Sequence, residues 1–455
     1  MGFCDRILRA NNDDERRQFI LKVQAARDDI VDFVNTLMGW EEIGQYQRWL
    51  KGSFNIGYVV KRTGGVADTS GPSAVFIRFP ISGCSYQQWS AEKVKNEVMV
   101  LEYLRENTSI PVPRVYHWGP AEDSPWKLAP FMVMEFVEGA CLDDLLKKPT
   151  ESDQDSLILN PDIDQGKLER VYSQVADYML QLSRLRFTSI GAISNDPGQW
   201  AVTGRPLTYD MNDLVSDTGV PSEKLSSKSF NNAGEYFAQR ADELWTHLCT
   251  QRNISETREE AREKFHARRR LAHLIPKYCV EGDGSFRLFG DDFGPFNMLA
   301  HPETLEIMAV LDFEFTNSMP AQYLYDVPSW LLLASPHCWL ERDDKAGFDR
   351  LFEPQIELFI KELEKAEHNL PPPEPDEKPV CLSASMRESW SSGRFWLNHA
   401  MRSSIDADVV YWKALHDGEN LESLDQTEEE KKFIEMKMEQ FHAYMEEKGN
   451  DPRFR

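Results

Sequence analysis

The sequence predicts an α+β protein in which a small antiparallel sheet precedes a larger and mainly helical part. Short apolar runs of strand type fall between residues 52 and 137, whereas long segments with helical periodicity dominate after residue 166. The chain has 455 residues, 41% of them hydrophobic, so it can bury two or three core-forming units. We therefore expect a helical extension over residues 1–45, a sheet-containing unit over 46–138 and a helical unit over 139–455.

The first element is a charged segment, residues 12–38, whose apolar positions recur at helical spacing and predict one leading helix. Strands are expected over 52–62 and 74–79, because the Gly-, Ser- and Thr-rich residues 63–73 between them suit a hairpin connection. The same criteria predict the other elements of this unit: a helix over 90–106 and strands over 113–118 and 131–137.

The helical unit begins after a polar and acidic stretch, residues 147–166, which contains two prolines and is interpreted as a linker or lid. Residues 370–379 contain five prolines and interrupt the later helices. Periodicity predicts the elements between these stretches: helices over 166–185, 233–249 and 255–275, and short strands over 286–289, 298–301 and 307–311.

Composition limits the partners and the compartment. Lys and Arg number 51 against 75 Asp and Glu, a formal charge of −24, which repels nucleic acid and anionic membrane surfaces. The seven cysteines are scattered without a Cys-x-x-Cys pair, and no apolar run reaches the roughly 20 residues of a membrane span. We therefore expect a cytoplasmic protein with neither a nucleic acid nor a membrane partner.

The most informative segment is the loop 291–297, which reads Asp-Asp-Phe-Gly-Pro-Phe-Asn and is followed by Asp312-Phe313-Glu314. Phosphoryl transfer of the kinase type needs an Asp that holds the attacking hydroxyl, an Asn five residues later that holds a metal, and a second Asp that bridges metal and phosphates. Asp292, Asn297 and Asp312 match that order and spacing. The flanking strands would form a tight hairpin that brings Asn297 and Asp312 together.

Two other interpretations of this loop compete with the catalytic one. Most stretches rich in Asp, Gly and Pro are surface turns that Asp side chains cap. Asp291 is an alternative catalytic residue, but the residue five positions later is Phe296, which cannot bind a metal. We therefore favour Asp292 as the residue that accepts the hydroxyl proton.

A second candidate site is the turn formed by Gly52, Ser53, Phe54 and Asn55, which lies between apolar, strand-like residues. Small residues let backbone N–H groups approach phosphate oxygens, and Gly permits the closest approach because it lacks a Cβ. A plain hairpin turn has the same composition. The chain has no Gly-x-x-x-x-Gly-Lys-Ser/Thr motif, which disfavours nucleotide binding of the Walker type.

Arg78 stands where a strand of protein kinases has the Lys that contacts the α- and β-phosphates. Glu97 is its natural partner, because Val94, Leu101 and Leu104 share its helix face and direct it inward, where an acid needs a cation. Arg keeps its charge and can fork to a carboxylate and a phosphate together. The alternative is a structural ion pair without a nucleotide.

These motifs resemble those of the aminoglycoside phosphotransferase family of small-molecule kinases, especially its fungal branch. The resemblance is carried by residues 288–297 and 310–315, and it extends from about residue 51 to about residue 412. It implies a protein-kinase-like two-lobed fold with a small antiparallel-sheet N-lobe and a mainly helical C-lobe. It also implies that ATP and Mg²⁺ are the cofactors, that Asp292 is catalytic, and that Asn297 and Asp312 bind the metal.

The resemblance further assigns residues 131–137 to the hinge between the lobes, where main-chain groups near Glu135 and Val137 would bind the adenine edge. A buried apolar strand is an equally valid interpretation of that segment. Gly290 departs from the family pattern, which often has a His two residues before the catalytic Asp. Glu314 follows the pattern of small-molecule kinases, since protein kinases have Gly at that position.

Aromatic residues are dense near the C-terminus, and we expect them to form core packing, because aromatic side chains dominate protein interiors. Asn398 and His399 lie among them and could face the acceptor, but one sequence does not orient them. The aromatic residues are Trp390, Phe395, Trp396, Tyr411 and Trp412.

The sequence thus predicts an enzyme that transfers the γ-phosphate of ATP to a hydroxyl group of a small molecule, whose identity it does not specify. A nucleotide-binding pseudokinase or scaffold module without turnover is the alternative, suggested by Arg78 and Gly290 in place of Lys and His. A protein kinase is disfavoured, because the chain lacks His-Arg-Asp and Ala-Pro-Glu motifs and has only seven residues between Asp312 and Pro320.

Overall fold

The structure is a computed structural model that describes residues 4–40, 43–63, 71–149, 157–196, 198–280, 286–342, 344–370, 381–418, 421 and 425–455. Two helices open the chain: α1, Arg6–Ala25, and α2, Arg27–Met38. The Asp5 carboxylate accepts hydrogen bonds from the first N–H groups of α1, so this helix starts before the predicted residue 12. The single helix predicted over 12–38 is wrong, because Ala26, with φ −84° and ψ 8°, interrupts the helical backbone.

An antiparallel sheet and one long helix follow. These elements are β1, Gly44–Lys51; β2, Asn55–Arg62; β3, Ala74–Pro80; α3, Ser90–Asn107; β4, Val115–Gly119; and β5, Phe131–Glu135. Within the described residues the sheet has five strands in the order β1-β2-β3-β5-β4. The sequence patterns do not predict β1, because it is an edge strand whose residues after Gly44 are all exposed and lack the apolar alternation of a half-buried strand.

The two N-terminal helices pack against the sheet rather than forming a separate unit. Val23, Ile30 and Val34 are buried in one cluster with Ile56 and Ile77 of the sheet. The helical extension therefore shares its core with the sheet. The predicted domain boundaries at residues 45/46 and 138/139 stay predictions.

Helices make up most of the chain after β5. The elements are β6, Ala140–Cys141; α4, Leu142–Leu146; α5, Gln165–Arg184; β7, Ile193–Asp196; β8, Gln199–Val202; α6, Tyr209–Thr218; α7, Ala233–Thr250; α8, Arg258–Tyr278; β9, Phe286–Phe289; β10, Met298–Ala300; β11, Ile307–Val310; β12, Asn317–Pro320; α9, Ala321–Leu324; α10, Pro336–Arg342; α11, Lys345–His368; α12, Leu382–Ser392; α13, Arg394–Arg402; α14, Ala407–Val410; and α15, Glu428–Asn450. The predicted α+β fold class, with a small antiparallel sheet first and a mainly helical part after it, is confirmed.

Short strand pairs hold the loops of the predicted site. β10 pairs with β11 on one side and with β6 on the other, and β9 pairs with β12, all antiparallel. The loop 290–297 therefore runs between two paired strands, and the residues after Val310 run between two others. Both segments are fixed at their ends by main-chain hydrogen bonds, which is how scaffolds hold catalytic loops.

The acidic stretch 147–166 is bonded to the body of the protein at the residues that are described. The Lys148 N–H donates to the Ile158 carbonyl at 2.9 Å, and the Leu159 N–H donates to the Leu332 carbonyl at 3.0 Å. Residues 150–156, and most of the proline-rich stretch 370–379, lie outside the described residues. Among the helices that are described, none combines the length and the apolar character needed to cross a membrane.

Candidate active site

The loop 290–297 is closed by hydrogen bonds within itself. The Asn297 side-chain amide donates to the main-chain carbonyl of Asp292 at 3.1 Å, and the Asn297 N–H donates to the Gly294 carbonyl at 3.0 Å. The predicted catalytic Asp292 and the predicted metal ligand Asn297 are therefore brought together by the loop itself. Asp292 also lines a cavity of about 660 Å³, described below.

Asp312 lies directly after the strand that pairs with β10. The Leu311 N–H donates to the Asn297 carbonyl at 2.7 Å, so the predicted hairpin does bring the residues beside Asp312 next to Asn297. Asp312 has φ +64°, a left-handed backbone conformation that costs a non-glycine residue free energy and that clusters at functional sites. Its Oδ1 atom is buried and has no hydrogen-bond partner among the described residues.

Buried carboxylates shift the protonation of both aspartates. Burial, and then the charges of Asp312, Asp291 and Glu314, raise the pKa of Asp292 to about 7. Burial, and then the charge of Glu314, raise the pKa of Asp312 to about 6, although Arg78 oppositely lowers it. The site thus gathers more negative charge than its own cations balance, which favours binding of a further cation.

The residues around Asp312 fit a Mg²⁺ ion. Glu97, Asp312 and Glu314 each offer a carboxylate oxygen, and these oxygens lie within 4.8 Å of one another. Glu314 Oε1, like Asp312 Oδ1, is buried without a hydrogen-bond partner in the described structure. Oxygen donors are the ligands that Mg²⁺ prefers. The assignment of Asn297 and Asp312 as the metal ligands stays a prediction, and the structure adds Glu97 and Glu314 to the neighbourhood of Asp312.

Arg78 and Glu97 form the ion pair that the sequence predicts. The guanidinium of Arg78 donates to Glu97 Oε2, and the two side chains are 11% and 1% exposed. The other oxygen, Glu97 Oε1, accepts a hydrogen bond of 3.3 Å from the Phe313 N–H. One carboxylate therefore joins β3, α3 and the segment that carries Asp312. Whether Arg78 contacts a nucleotide stays a prediction.

Lys93 is a buried cation of the site that the sequence reasoning missed. Its Nζ atom lies 3.1 Å from Glu314 Oε2 and 2.8 Å from Ser85 Oγ, and the residue is 1% exposed. Although burial by itself raises it, the pKa of Glu314 is lowered, because the positive charges of Lys93 and Arg78 stabilise the carboxylate. Lys93 precedes Glu97 by one helical turn on α3, and this spacing is the signal that places both side chains on one face.

The turn at residues 52–55 packs onto the segment after Asp312. The Gly52 N–H donates to the Asn55 carbonyl at 2.9 Å, which makes the segment a tight hairpin turn with Ser53 and Phe54 at its tip. The Asn55 amide donates to Glu314 Oε2 at 2.9 Å, and the Phe54 ring lies edge-on to Phe315 with 5.7 Å between centroids. A phosphate-binding role for Gly52, Ser53, Phe54 and Asn55 stays a prediction.

The predicted hinge begins at the end of β5. The Glu135 N–H donates to the Arg114 carbonyl at 2.8 Å, and the Glu135 carboxylate accepts from the Arg114 N–H at 3.2 Å. This N–H is therefore engaged within the sheet. Val137 lies beyond the strand and is half-buried. Adenine recognition by Glu135 and Val137 stays a prediction.

Gly290, which departs from the family pattern, is enclosed by Thr316. A Cβ atom at position 290 would lie 2.3 Å from Thr316 Oγ1, closer than real Cβ atoms approach other heavy atoms. The Thr316 hydroxyl therefore fills the space that a side chain at position 290 would need. Gly290 in place of a His therefore leaves no empty space in the loop, because Thr316 occupies it.

The cavity beside Asp292 has the size of a small-molecule site. Its volume of about 660 Å³ falls within the usual range of roughly 300–1,000 Å³. Asp291 lines it as well, and its carboxylate pairs with Arg402 Nη1 at 3.2 Å. Helices α6, α10 and α13 supply other lining residues, among them Tyr209, Asp213, His337 and His399.

Asn398 and His399, left open by the sequence, have different environments. Asn398 is fully buried, and its amide donates to both carboxylate oxygens of Asp326 at 2.9 and 3.0 Å, so it does not face the cavity. His399 lines the cavity. The predicted core packing of the C-terminal aromatic residues is confirmed for Phe395 and Trp396, which are 0% and 2% exposed.

One comparison with known proteins concerns the N-terminal third of the chain. A family model described as the phosphotransferase enzyme family matches residues 13–160, about one third of the chain. The resemblance stated from the sequence is confirmed by this match, which supports a phosphotransferase. The fungal branch of the family stays a prediction.

Individual proteins that resemble this chain have low sequence identity to it. The chain is 26% identical over 141 residues to the altered inheritance of mitochondria protein 9 of Clavispora lusitaniae, a match that covers 30% of this chain and 22% of the relative. A putative aminoglycoside phosphotransferase from Ralstonia eutropha is 14% identical, with a TM-score of 0.43 over 91% of this chain and 98% of that one. The aminoglycoside phosphotransferase APH(3'')-Id from Streptomyces rimosus is 12% identical, with a TM-score of 0.39 over 84% and 98%.

Proposed function

We propose that the protein is an ATP- and Mg²⁺-dependent phosphotransferase that transfers the γ-phosphoryl group of ATP to a hydroxyl group of a small molecule. The observation that carries this proposal is the position of Asp292. It lines a cavity of small-molecule size, while its loop is hydrogen-bonded through Asn297 to the strand that leads to Asp312. An acid positioned between an acceptor cavity and a cluster of oxygen donors is the arrangement that phosphoryl transfer requires.

Asp292 serves as the general base. Its carboxylate accepts the proton of the acceptor hydroxyl and aligns the hydroxyl oxygen for attack on the terminal phosphorus. A base works best when its pKa lies near the operating pH, and burial and neighbouring acids raise the pKa of Asp292 to about 7. The Asn297 side-chain amide donates a hydrogen bond to the main-chain carbonyl of Asp292 and so holds Asp292 in place.

Arg78, Glu97 and Lys93 serve the phosphate side of the site. Glu97 orients the guanidinium of Arg78, which can then hold the α- and β-phosphates. Lys93 compensates the buried charge of Glu314. Because Asn55 donates to Glu314, the turn at residues 52–55 is held where it can cover the phosphates.

Asp312, with Asn297 and the carboxylates of Glu97 and Glu314 close by, would hold Mg²⁺. When bound, the metal supplies positive charge that stabilises the negative charge developing on the transferring group. The acceptor would occupy the cavity lined by Asp292 and α6, α10 and α13. The cytoplasmic location and the absence of nucleic acid and membrane partners stay predictions from composition.

A nucleotide-binding module without turnover is the second candidate. It is favoured by one observation: Phe54 and Asn55 pack directly on Phe315 and Glu314, so the turn lies close to the carboxylates that would face the phosphates. A turn fixed in this position would hold a nucleotide while restricting the approach of an acceptor. The two candidates share the nucleotide and differ only in turnover.

The proposal is tested with purified protein, ATP, Mg²⁺ and a library of small molecules that carry hydroxyl groups. Mass spectrometry follows the mass gain of one phosphate on each acceptor. We expect Asp292→Asn to lower the rate on the best acceptor by about 10² to 10⁴, the usual contribution of a general base. Asp162→Asn is the matched control, because Asp162 is an exposed carboxylate outside the site.

Nucleotide binding is measured separately by titration calorimetry on both variants. Equal turnover by wild type and Asp292→Asn would contradict the assignment of Asp292. ATP binding without phosphorylation of any acceptor, in wild type and control alike, would instead favour the module without turnover. Absence of ATP binding would contradict both candidates.

A further inference from the structure

A cluster of metal-binding side chains lies on the acceptor side of the cavity, apart from the carboxylates around Asp312. His337 on α10, His399 on α13 and Asp406 just before α14 each offer one ligand atom, and these atoms lie within 4.8 Å of one another. All three residues line the cavity that contains Asp292. Residues that are 69 positions apart in the chain are thus gathered at one point of the cavity wall.

Two of the distances between these atoms are close to those of a tetrahedral zinc site. His337 Nδ1 lies 3.0 Å from Asp406 Oδ2, and His399 Nε2 lies 3.4 Å from the same oxygen. Ligand atoms placed about 2 Å from a tetrahedral zinc ion are themselves about 3.3 Å apart. Each imidazole therefore presents a nitrogen at a distance from Asp406 that a shared ion would bridge, and an ion at this point would replace the 2.9 Å contact between Ser335 Oγ and His337 Nδ1.

The cluster also contains a buried nitrogen that is poorly satisfied. His399 Nε2 lies 3.4 Å from Asp406 Oδ2 but makes no hydrogen bond of good geometry within the described structure, although the residue is only 7% exposed. A buried imidazole nitrogen held by one long contact is less stable than a fully bonded one, and a metal ion that accepts its lone pair would satisfy it. On the other side of the His337 ring, the Cys338 Sγ lies 3.2 Å from Nε2, a contact that orients the ring from outside the cluster.

We propose that His337, His399 and Asp406 bind one divalent ion of the zinc class and leave a coordination position open toward the cavity. Two imidazoles and one carboxylate are a ligand set of catalytic zinc sites, in which the protein supplies three ligands and the fourth position is exchangeable. Mg²⁺ prefers oxygen ligands, so this site selects a different ion from the cluster around Asp312. The site is independent of the proposed phosphoryl transfer, because neither nucleotide nor acceptor contributes a ligand.

Zinc binding is measured on the full chain after it has been stripped with a chelator and dialysed into excess Mg²⁺. A competition titration against a chromophoric zinc indicator gives the affinity, and mass spectrometry of the metal gives the stoichiometry. We expect one tight zinc ion in the wild type. His337→Gln and His399→Gln should weaken it by at least about 100-fold, the upper end of what loss of a supporting residue costs.

His273→Ala is the matched control, because His273 is exposed on α8 and should leave the zinc affinity unchanged. His337 is the safer variant for folding, since 24% of its side chain is exposed. Thermal unfolding gives a test that needs no variant, because zinc that binds the native state must raise the Tm of the wild type. A stripped wild type that binds no zinc in the titration, or a His337→Gln variant that binds it equally well, overturns the proposal.

The open position is tested with cobalt in place of zinc. The visible spectrum of the cobalt-loaded wild type should change when azide is added, because azide can occupy an exchangeable position. A cobalt spectrum that azide does not alter contradicts the open position. Asp292→Asn should give the same zinc and cobalt results as the wild type, so failure of this proposal is distinguished from failure of the phosphotransferase assignment.

Discussion

The two sides of the proposed catalytic centre balance their buried acids in different ways. On the phosphate side, Arg and Lys side chains face the carboxylates: Arg78 pairs with Glu97, and Lys93 with Glu314. On the acceptor side, the imidazoles of His337 and His399 share Asp406. The first arrangement pairs each acid with a Lys or Arg side chain and suits a polyanion with a hard metal ion. The second offers imidazole nitrogens beside one carboxylate, which suit a softer ion or a polar acceptor.

The largest expected effect concerns Lys93, the cation that fixes the phosphate side. Lys93→Met should lower the free energy of unfolding by about 3–5 kcal/mol, because it leaves the charge of Glu314 buried without its cation. Chemical denaturation measures this loss. Lys95→Met, an exposed lysine on the same helix, is the control and should stay within about 0.5 kcal/mol of wild type.

The double variant Lys93→Met/Glu314→Gln sharpens that test. Removing both charges should recover much of the lost stability, which a double-mutant cycle reports as a coupling free energy. Equal stability of the two single lysine variants would show that Lys93 does not compensate Glu314 in the way its contacts indicate.

A smaller effect is expected on the acceptor side. Arg402 bonds to Asp291, and its guanidinium lies over the rings of Phe289 and Tyr323, so it makes three contacts that the single ammonium of Lys would not reproduce together. Arg402→Lys should lower the free energy of unfolding by about 1.5–3 kcal/mol, because the hydrogen bond from Arg402 to the Asp291 carboxylate is lost. Steady-state kinetics should show a higher KM for the acceptor and an unchanged KM for ATP. A change in the KM for ATP alone would contradict the division into two sides.

Because Thr316 encloses Gly290, a larger residue at position 290 should destabilise the protein by a similar or smaller amount. Gly290→His should lower stability by about 1–3 kcal/mol, because its Cβ would lie 2.3 Å from Thr316 Oγ1. Gly290→His/Thr316→Ala removes the clashing hydroxyl and should be more stable than the single variant. Gly71→His is the control, since a Cβ at Gly71 meets no atom of the described residues within 4 Å. Thermal unfolding compares the three variants.

The pH dependence of turnover gives the smallest expected change. Asp292 acts as a carboxylate, and burial together with Asp312 and Asp291 raises its pKa to about 7, so kcat/KM should fall as the pH drops through that value. Mg²⁺ bound beside Asp312 favours the ionised form and moves this fall to lower pH. The measurement is the pH profile of kcat/KM at several Mg²⁺ concentrations. A pH profile that is the same at every Mg²⁺ concentration would show that the charge of the metal ion does not affect the pKa of Asp292.

Sequence patterns predict the parts of this molecule that are built from local signals. The loop 290–297 and its flanking strands follow from turn residues and apolar runs, and the Arg78 to Glu97 pair follows from helix periodicity. β1 is not predictable in this way, because its exposed residues carry no alternation. The break at Ala26 has no Gly or Pro to mark it.

The residues that sequence reasoning missed depend on tertiary contacts. Lys93 is one of many lysines, and only the fold shows that it is buried beside Glu314. His337 and Asp406 come from segments without any recognisable motif, and they meet His399 only because α10, α13 and α14 converge on one cavity. Asn398, adjacent to His399, is turned inward toward Asp326, which helix periodicity alone does not decide.

Glu97 has a consequence for communication within the protein. Its two carboxylate oxygens hold different partners, the Arg78 guanidinium and the Phe313 main-chain N–H. A carboxylate is planar and rigid, so a rotation of the peptide between Asp312 and Phe313 must displace Arg78 as well. An ion that binds at Asp312 would therefore affect β3, the strand that carries Arg78. If Arg78 contacts the nucleotide as proposed, magnesium and nucleotide should each strengthen the binding of the other.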